Sequence, residues 1–280
     1  PTIPEAHNKC EENVWNIITD YPFTFIGIQE GGVSFPERVV EYGTTKGLDL
    51  GTIATQHGRV QASIIYDKKS FECIYSMSAR IEKDAVPKID SNGNGVRRPL
   101  PFSCGIFENV NTKKKIIVIS LHGPHGTNWS GRRVVEHILA KMDETHHPPD
   151  LNKTPVLLMG DFNENIMQEF VTQTHSFINM DEKYRRRERA KSTGTNGMGT
   201  EISDQGWDEQ YKYAPDNIYI GNPINPQGVV MISSRSHQVY NPNTSNPYIK
   251  IAGLAETAVS RIISSESSDH LPVTGSFTLD

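Results

Sequence analysis

The chain is built around short apolar runs that end in polar or charged residues, and the sharpest of these is Val156-Leu-Leu-Met-Gly-Asp-Phe-Asn163. Four consecutive apolar residues place apolar side chains on both faces of an extended segment, so such a strand must be covered on both sides. Comparable runs lie at 23–29, 61–66, 102–108, 116–121, 217–220, 229–232 and 273–279. Their length and their content of Val, Ile and Phe predict strands rather than buried helices. A single sheet with one wet face cannot satisfy them.

Helical periodicity is confined to two stretches. Cys10, Val14, Ile17 and Ile18 share a face within 6–19, and Val135, Ile138, Leu139 and Met142 form a stripe within 132–144. Many strands with few helices predict a layered α/β fold of two packed sheets with helices outside. Turn-rich stretches at 90–95 and 192–199 separate elements, but no linker divides the chain, which predicts one domain over 1–280.

Across 280 residues, 28 Lys and Arg against 33 Asp and Glu leave a net charge of −5. No global basic field draws this chain onto nucleic acid, so a phosphate-bearing substrate must be held locally, by a metal or a few cations. Cys10, Cys73 and Cys104 are an odd set without metal-ligand spacing, which predicts buried free thiols rather than a disulfide framework or a zinc site. No apolar run is long enough to span a membrane as a helix and no charged-then-apolar leader opens the sequence, so a soluble, intracellular chain is expected.

Four strand ends carry reactive residue types: Ile28-Gln-Glu30, Ser120-Leu-His122, Gly160-Asp-Phe-Asn163 and Ser268-Asp-His-Leu-Pro-Val273. Carboxyl ends of strands are where α/β folds display such groups. Each signal is weak alone, and their joint occurrence is not. With Ala214-Pro-Asp-Asn-Ile-Tyr-Ile-Gly221, the set resembles the endonuclease/exonuclease/phosphatase superfamily, the DNase I-like fold, from position 25 to 273. The resemblance implies a four-layer α/β sandwich of two packed mixed β-sheets flanked by helices. It further implies a divalent metal, Mg²⁺ with Mn²⁺ as an alternative, and hydrolysis of phosphoesters.

Phosphodiester cleavage by water needs a base for the nucleophile, an acid or cation for the leaving oxygen, and positive charge at the phosphoryl oxygens. Glu30 is a candidate metal ligand, against the alternative of a solvated strand-end Glu. The resemblance implies that Asp269 helps hold the metal. It also implies that His270 takes a proton from water or contacts the scissile phosphate, and that Asp216 pairs with this histidine. The plain alternative for Asp216 is a turn residue after Pro215.

His122 matches a second histidine suited to general-acid work, with His125 as a nearby competitor. Asp161 and Asn163 supply a carboxylate and an amide at i, i+2 spacing, aimed to one side of an extended segment. Arg98, of the Arg97-Arg98 pair, and Arg186, in the basic run 183–191, are candidate substrate contacts. A solvated charge pair and a solvated helix face are the alternatives, and Tyr184 would stack if the run binds polynucleotide.

Two departures from the family pattern stand out. The family opens with a strand bearing an asparagine near the metal, whereas 1–4 lead here directly into the predicted helix, with Asn8, Asn13 and Asn16 inside it. The expected first strand is therefore placed upstream of Pro1. The family also keeps a Glu shortly before the strand matched here by 61–66, as partner to the first histidine. Gln61 stands there instead, which predicts a weaker acid-base role for His122.

The expected function is a Mg²⁺-dependent phosphodiesterase acting on a nucleic acid substrate, DNA or RNA, as a monomer. One alternative is a phosphatase or phospholipase C-type enzyme acting on inositol phosphates or sphingomyelin. The absence of a GDxNYR-type signature counts against the inositol enzymes. The other is a decayed binding domain, opposed by the joint retention of the site residues.

Overall fold

The computed structural model describes residues 15, 18–19, 23–31, 34–54, 62–82, 100–123, 131–146, 148, 150–162, 169–179, 216–224, 231–239 and 273–280. In chain order the strands are β1 (Phe25–Gln29), β2 (Leu50–Ile53), β3 (Ala62–Asp67), β4 (Phe71–Ile81), β5 (Leu100–Asn109), β6 (Lys115–His122), β7 (Val156–Asp161), β8 (Glu169–Val171), β9 (His175–Asn179), β10 (Asp216–Pro223), β11 (Ile232–Val239) and β12 (Val273–Leu279). Among the described residues the α-helices with defined bounds are α1 (Phe35–Thr45) and α2 (Gly131–His146).

The strands form a small sheet ordered β1-β3-β2, a large one ordered β4-β5-β6-β7-β10-β9-β8, and a β11-β12 pair. Among the described strands only β6 and β7 pair in parallel, because α2 lies between them in sequence and supplies the crossover that parallel strands require. The large sheet is therefore mixed and the small one antiparallel.

Alternation along the apolar runs divides their side chains between layers. In β6, Ile117, Ile119 and Leu121 join Val156 and Leu158 of β7 in a core with Val134, Val135, Ile138 and Met142 of α2. Ile116, Val118, Leu157 and Met159 point the other way and meet Ile53 and Ile64 of the small sheet. The outer face of the small sheet contributes Ile28, Leu50 and Ile65 to a third core with Phe35 and Val39 of α1 and Ile18. Helix, large sheet, small sheet and helix are thus four layers around three cores, as the apolar runs require.

Several elements differ from the sequence expectation. Of the run expected as a strand at 229–232, Val229 and Val230 lie outside the described residues, and β11 begins at Ile232 and continues through a polar stretch to Val239. Helix α1 escaped notice because its buried stripe is sparse: Phe35, Pro36, Val39 and Gly43, with proline in the first turn, where a missing N–H costs nothing. β2, β8 and β9 are short, and β4 alternates rather than running apolar. Cys104 is a buried free thiol, pushed well above its usual pKa by burial, but Cys73 is only half-buried, with its pKa raised to about 11 mainly by desolvation. Cys10 lies outside the described residues. Of the expected 6–19 helix, Trp15, Ile18 and Thr19 are described and helical, with Trp15 stacked on Tyr42 at 4.7 Å. Among the described residues no helix is long and apolar enough to cross a membrane.

Candidate active site

The apolar run of β6 ends in His122 and that of β7 ends in Asp161, and the parallel register sets these residues side by side. Both are buried, at 3% and 6% exposure, at the ends of strands that are otherwise mostly apolar. Two close backbone approaches fix this rung. A Cβ on Gly160 would sit 2.1 Å from the Leu121 carbonyl oxygen, so only glycine allows β6 and β7 this spacing. Just beyond, the Gly123 N–H donates to the Asp161 carbonyl at 2.7 Å.

Glu30 arrives from the small sheet. Along β1, Ile26 and Ile28 face the α1 side, while Gln29 faces the large sheet and donates from Nε2 to Ser120 Oγ at 3.0 Å. The sheets also close up at Gly27, where a Cβ would come within 3.1 Å of Met159 Cβ. Strict alternation would send Glu30 after Ile28 toward the helices. Instead its φ is +59°, a left-handed conformation that non-glycine residues rarely adopt. The chain turns there, and Glu30 Oε1 comes to 3.8 Å from His122 Nε2, with Asp161 Oδ2 at 3.7 Å from the same nitrogen. These are ion-pair separations, too long for hydrogen bonds.

Two carboxylates within 4 Å of one imidazole nitrogen attract a proton held there. Gln61, on which the expected weaker acid-base role of His122 rests, lies outside the described residues, while Glu30 and Asp161 place negative charge beside the ring. Glu30 is 64% exposed, so its carboxylate opens to solvent while His122 and Asp161 form the floor. Such hard oxygen donors suit Mg²⁺ or Mn²⁺. Among the described residues, however, no group of three or more His, Cys, Asp or Glu is arranged to hold a metal by itself.

The antiparallel register places the backbone of Asp216, first residue of β10, opposite Asp161. His122, Asp161 and Asp216 thus occupy one row across three strands. Asn163, Asp269, His270, Arg98 and Arg186, with His125 and the basic run, lie outside the described residues. Sequence reading overlooked Ser120, the buried polar residue inside the apolar β6 run, whose contact with Gln29 links the two sheets. A lone serine in such a run was the available signal.

No protein-family model matches the chain, and no curated protein matches it in sequence. Solved structures do match its fold over nearly its whole length. An endonuclease/exonuclease/phosphatase from Bacteroides vulgatus superposes with a TM-score of 0.63 at 15% identity, covering 98% of this chain and 91% of that one. A Bacteroides thetaiotaomicron mannosyl-6-phosphatase gives 0.59 at 14%, covering 98% and 92%. D. rerio TDP2, complexed with a single-strand DNA product, gives 0.54 at 11%, covering 99% and 94%. The site sits where two stacked sheets meet at the ends of β1, β6 and β7, and the chain carries the endonuclease/exonuclease/phosphatase, DNase I-like, fold.

Proposed function

We propose that the chain is a divalent-cation-dependent phosphodiesterase that hydrolyses nucleic acid, acting as a monomer. The observation that carries the reading is the convergence of Glu30, His122 and Asp161 from two sheets onto one nitrogen. Maintaining a left-handed glutamate beside a buried histidine and a buried aspartate costs stability, and such costs concentrate at functional sites. The likeness in fold to a protein seen with a DNA product supports a polynucleotide substrate.

Glu30, with Asp269, would hold Mg²⁺, and the ion when bound supplies positive charge to the phosphoryl oxygens. The chain's own groups do the rest. His270, oriented by Asp216, accepts the proton of the attacking water. His122, with a proton on Nε2 attracted by Glu30 and Asp161, lies on the leaving-oxygen side and can return a proton there. Asn163 donates to a phosphoryl oxygen, and Arg98 and Arg186 contact the substrate backbone.

A second reading, a phosphomonoesterase, is favoured by the likeness in fold to a mannosyl-6-phosphatase. A panel of supercoiled plasmid, single-stranded oligonucleotides, sugar phosphates, inositol phosphates and sphingomyelin, assayed with Mg²⁺ and with EDTA, separates the two. Mg²⁺-dependent cleavage of polynucleotide supports the phosphodiesterase. Turnover confined to monoesters overturns it.

A further inference from the structure

Between the two sheets the side chains become short and polar on approach to the site. On β6 the row facing the small sheet reads Ile116, Val118, Ser120, His122, and on β5 it reads Phe107, Gly105, Ser103. The small sheet answers in kind, with Phe25, Gly27 and Gln29 on β1 and with Ile64 and then Ala62 on β3. Ser103, Ser120 and Ala62 are fully buried. Buried hydroxyls need partners, and both serines find theirs on the facing sheet.

Ser120 Oγ accepts from Gln29 Nε2 at 3.0 Å. Ser103 Oγ donates to the Ala62 carbonyl at 2.6 Å and accepts from Ser78 Oγ at 2.7 Å. Within the sheets the same four residues are already neighbours, because Gln29 pairs with Ala62 and Ser103 pairs with Ser120. Two strand pairings and two side-chain bonds therefore close a ring from Gln29 through Ala62, Ser103 and Ser120 back to Gln29.

A serine side chain is one carbon and one oxygen long, so a hydroxyl that touches the backbone of the facing sheet needs the sheets closer here than their usual ~10 Å. Gly27 permits this approach: a Cβ there would lie 3.3 Å from both Gln29 Nε2 and Ser120 Oγ. Glu30 follows Gln29 on one side of the ring, and His122 stands just beyond Ser120 on the other. We propose that the ring sets the reach of Glu30 across the sheets, and that Gln29, Ser103 and Ser120 are positioning residues holding its carboxylate for the divalent cation. The assignment rests on the reading of Glu30 as a cation ligand of a phosphodiesterase. A ring broken at either side-chain bond is open, so the two bonds act as a unit.

The test reads cation binding apart from turnover. Mn²⁺ binding to substrate-free protein is titrated by electron paramagnetic resonance for the parental protein, Gln29→Met, Ser103→Ala, Ser120→Ala and the Gln29→Met/Ser103→Ala double variant. Ile116→Val, which trims the same inter-sheet core at the end of β6 away from the site, is the structural control. Each ring variant is expected to weaken Mn²⁺ binding about tenfold, the scale of losing a support behind a metal ligand, and the double variant hardly further. Ile116→Val is expected to lower the urea midpoint and leave Mn²⁺ affinity unchanged. Urea unfolding checks that every variant is folded, and the half-buried, near-isosteric Gln29→Met keeps the test decisive where a serine variant fails to fold. Parental affinity in folded Gln29→Met, equal weakening in Ile116→Val, multiplied losses in the double variant, or no Mn²⁺ binding by the parental protein overturns the assignment. Mg²⁺-dependent oligonucleotide hydrolysis by the parental protein is scored alongside. Hydrolysis with Mn²⁺ affinity independent of the ring sinks the ring alone, and ring-dependent Mn²⁺ affinity without hydrolysis sinks the phosphodiesterase alone.

Discussion

Glu30 and His122 come from different sheets, yet Glu30 Oε1 lies 3.8 Å from His122 Nε2, and it does so only because the backbone at Glu30 is left-handed with φ at +59°. An extended residue there would point its side chain at α1. The carboxylate is thus carried to the histidine by a conformation that glycine would adopt more cheaply.

Glu30→Gly is accordingly expected to be neutral or stabilising, by up to about 1 kcal/mol, while losing activity, since the left-handed penalty for an L side chain is of that order. Urea unfolding with a parallel activity assay measures both. A loss of 1 kcal/mol or more would mean that Glu30 contributes to the fold through contacts rather than occupying a strained position for chemistry.

The tether beside it is the Gln29 Nε2 to Ser120 Oγ hydrogen bond across the sheets. Gln29→Ala and Ser120→Ala should each cost about 1 kcal/mol, and the double mutant should cost little more than either, giving a coupling near 1 kcal/mol. Additive losses would show that the two side chains act apart.

Much of this architecture was legible in the sequence, for physical reasons that also mark the limit. Val156 to Met159 had to be a doubly covered strand because its apolar side chains fall on both faces, and the structure sends Leu158 to the α2 core and Leu157 to the small sheet. Strand β4 stayed hidden because Glu72, Ser76, Ser78 and Arg80 break its apolar pattern on one face. The reactive strand ends were legible as residue types, but the turn at Glu30 was not, since no composition signals a left-handed glutamate. Nor does the chain encode locally that Ser120 will meet Gln29, 91 residues away.

Gly160 permits the rung on which His122 and Asp161 meet. Gly160→Ala would place a methyl 2.1 Å from the Leu121 carbonyl oxygen, and backbone cannot yield as a flexible side chain can. A destabilisation of about 3 kcal/mol is expected from the upper range of overpacking costs, read from the urea midpoint. An unchanged midpoint would mean that β6 and β7 separate freely at this point.

His175 provides a pH signature remote from the site. Fully buried, it donates from Nε2 to the Thr154 carbonyl at 2.9 Å, and its Nδ1 lies 2.8 Å from Thr174 Oγ1, a hydroxyl that can donate to the neutral ring that burial favours. Burial lowers its pKa below the usual 6.5. Below that value the unfolded chain binds the proton first, so stability is fully present above about pH 6.5 and falls as the pH drops toward the lowered folded value. Unfolding free energies at pH 7 and pH 5 should show a smaller acid loss in His175→Gln than in the parental protein. Equal losses would assign the effect to other groups.

Glu30 above the buried pair of His122 and Asp161 is proposed as the catalytic centre of a cation-dependent phosphodiesterase. Its most direct test is the initial rate of oligonucleotide hydrolysis as a function of Mg²⁺ for the parental protein and for Glu30→Gln, a substitution that keeps shape and removes one charged oxygen donor. Saturable Mg²⁺ dependence is expected in the parental protein, with a rate at least about 100-fold lower in the folded variant, the scale of losing one transition-state charge contact. Parental rates in the variant with the same Mg²⁺ dependence would contradict it.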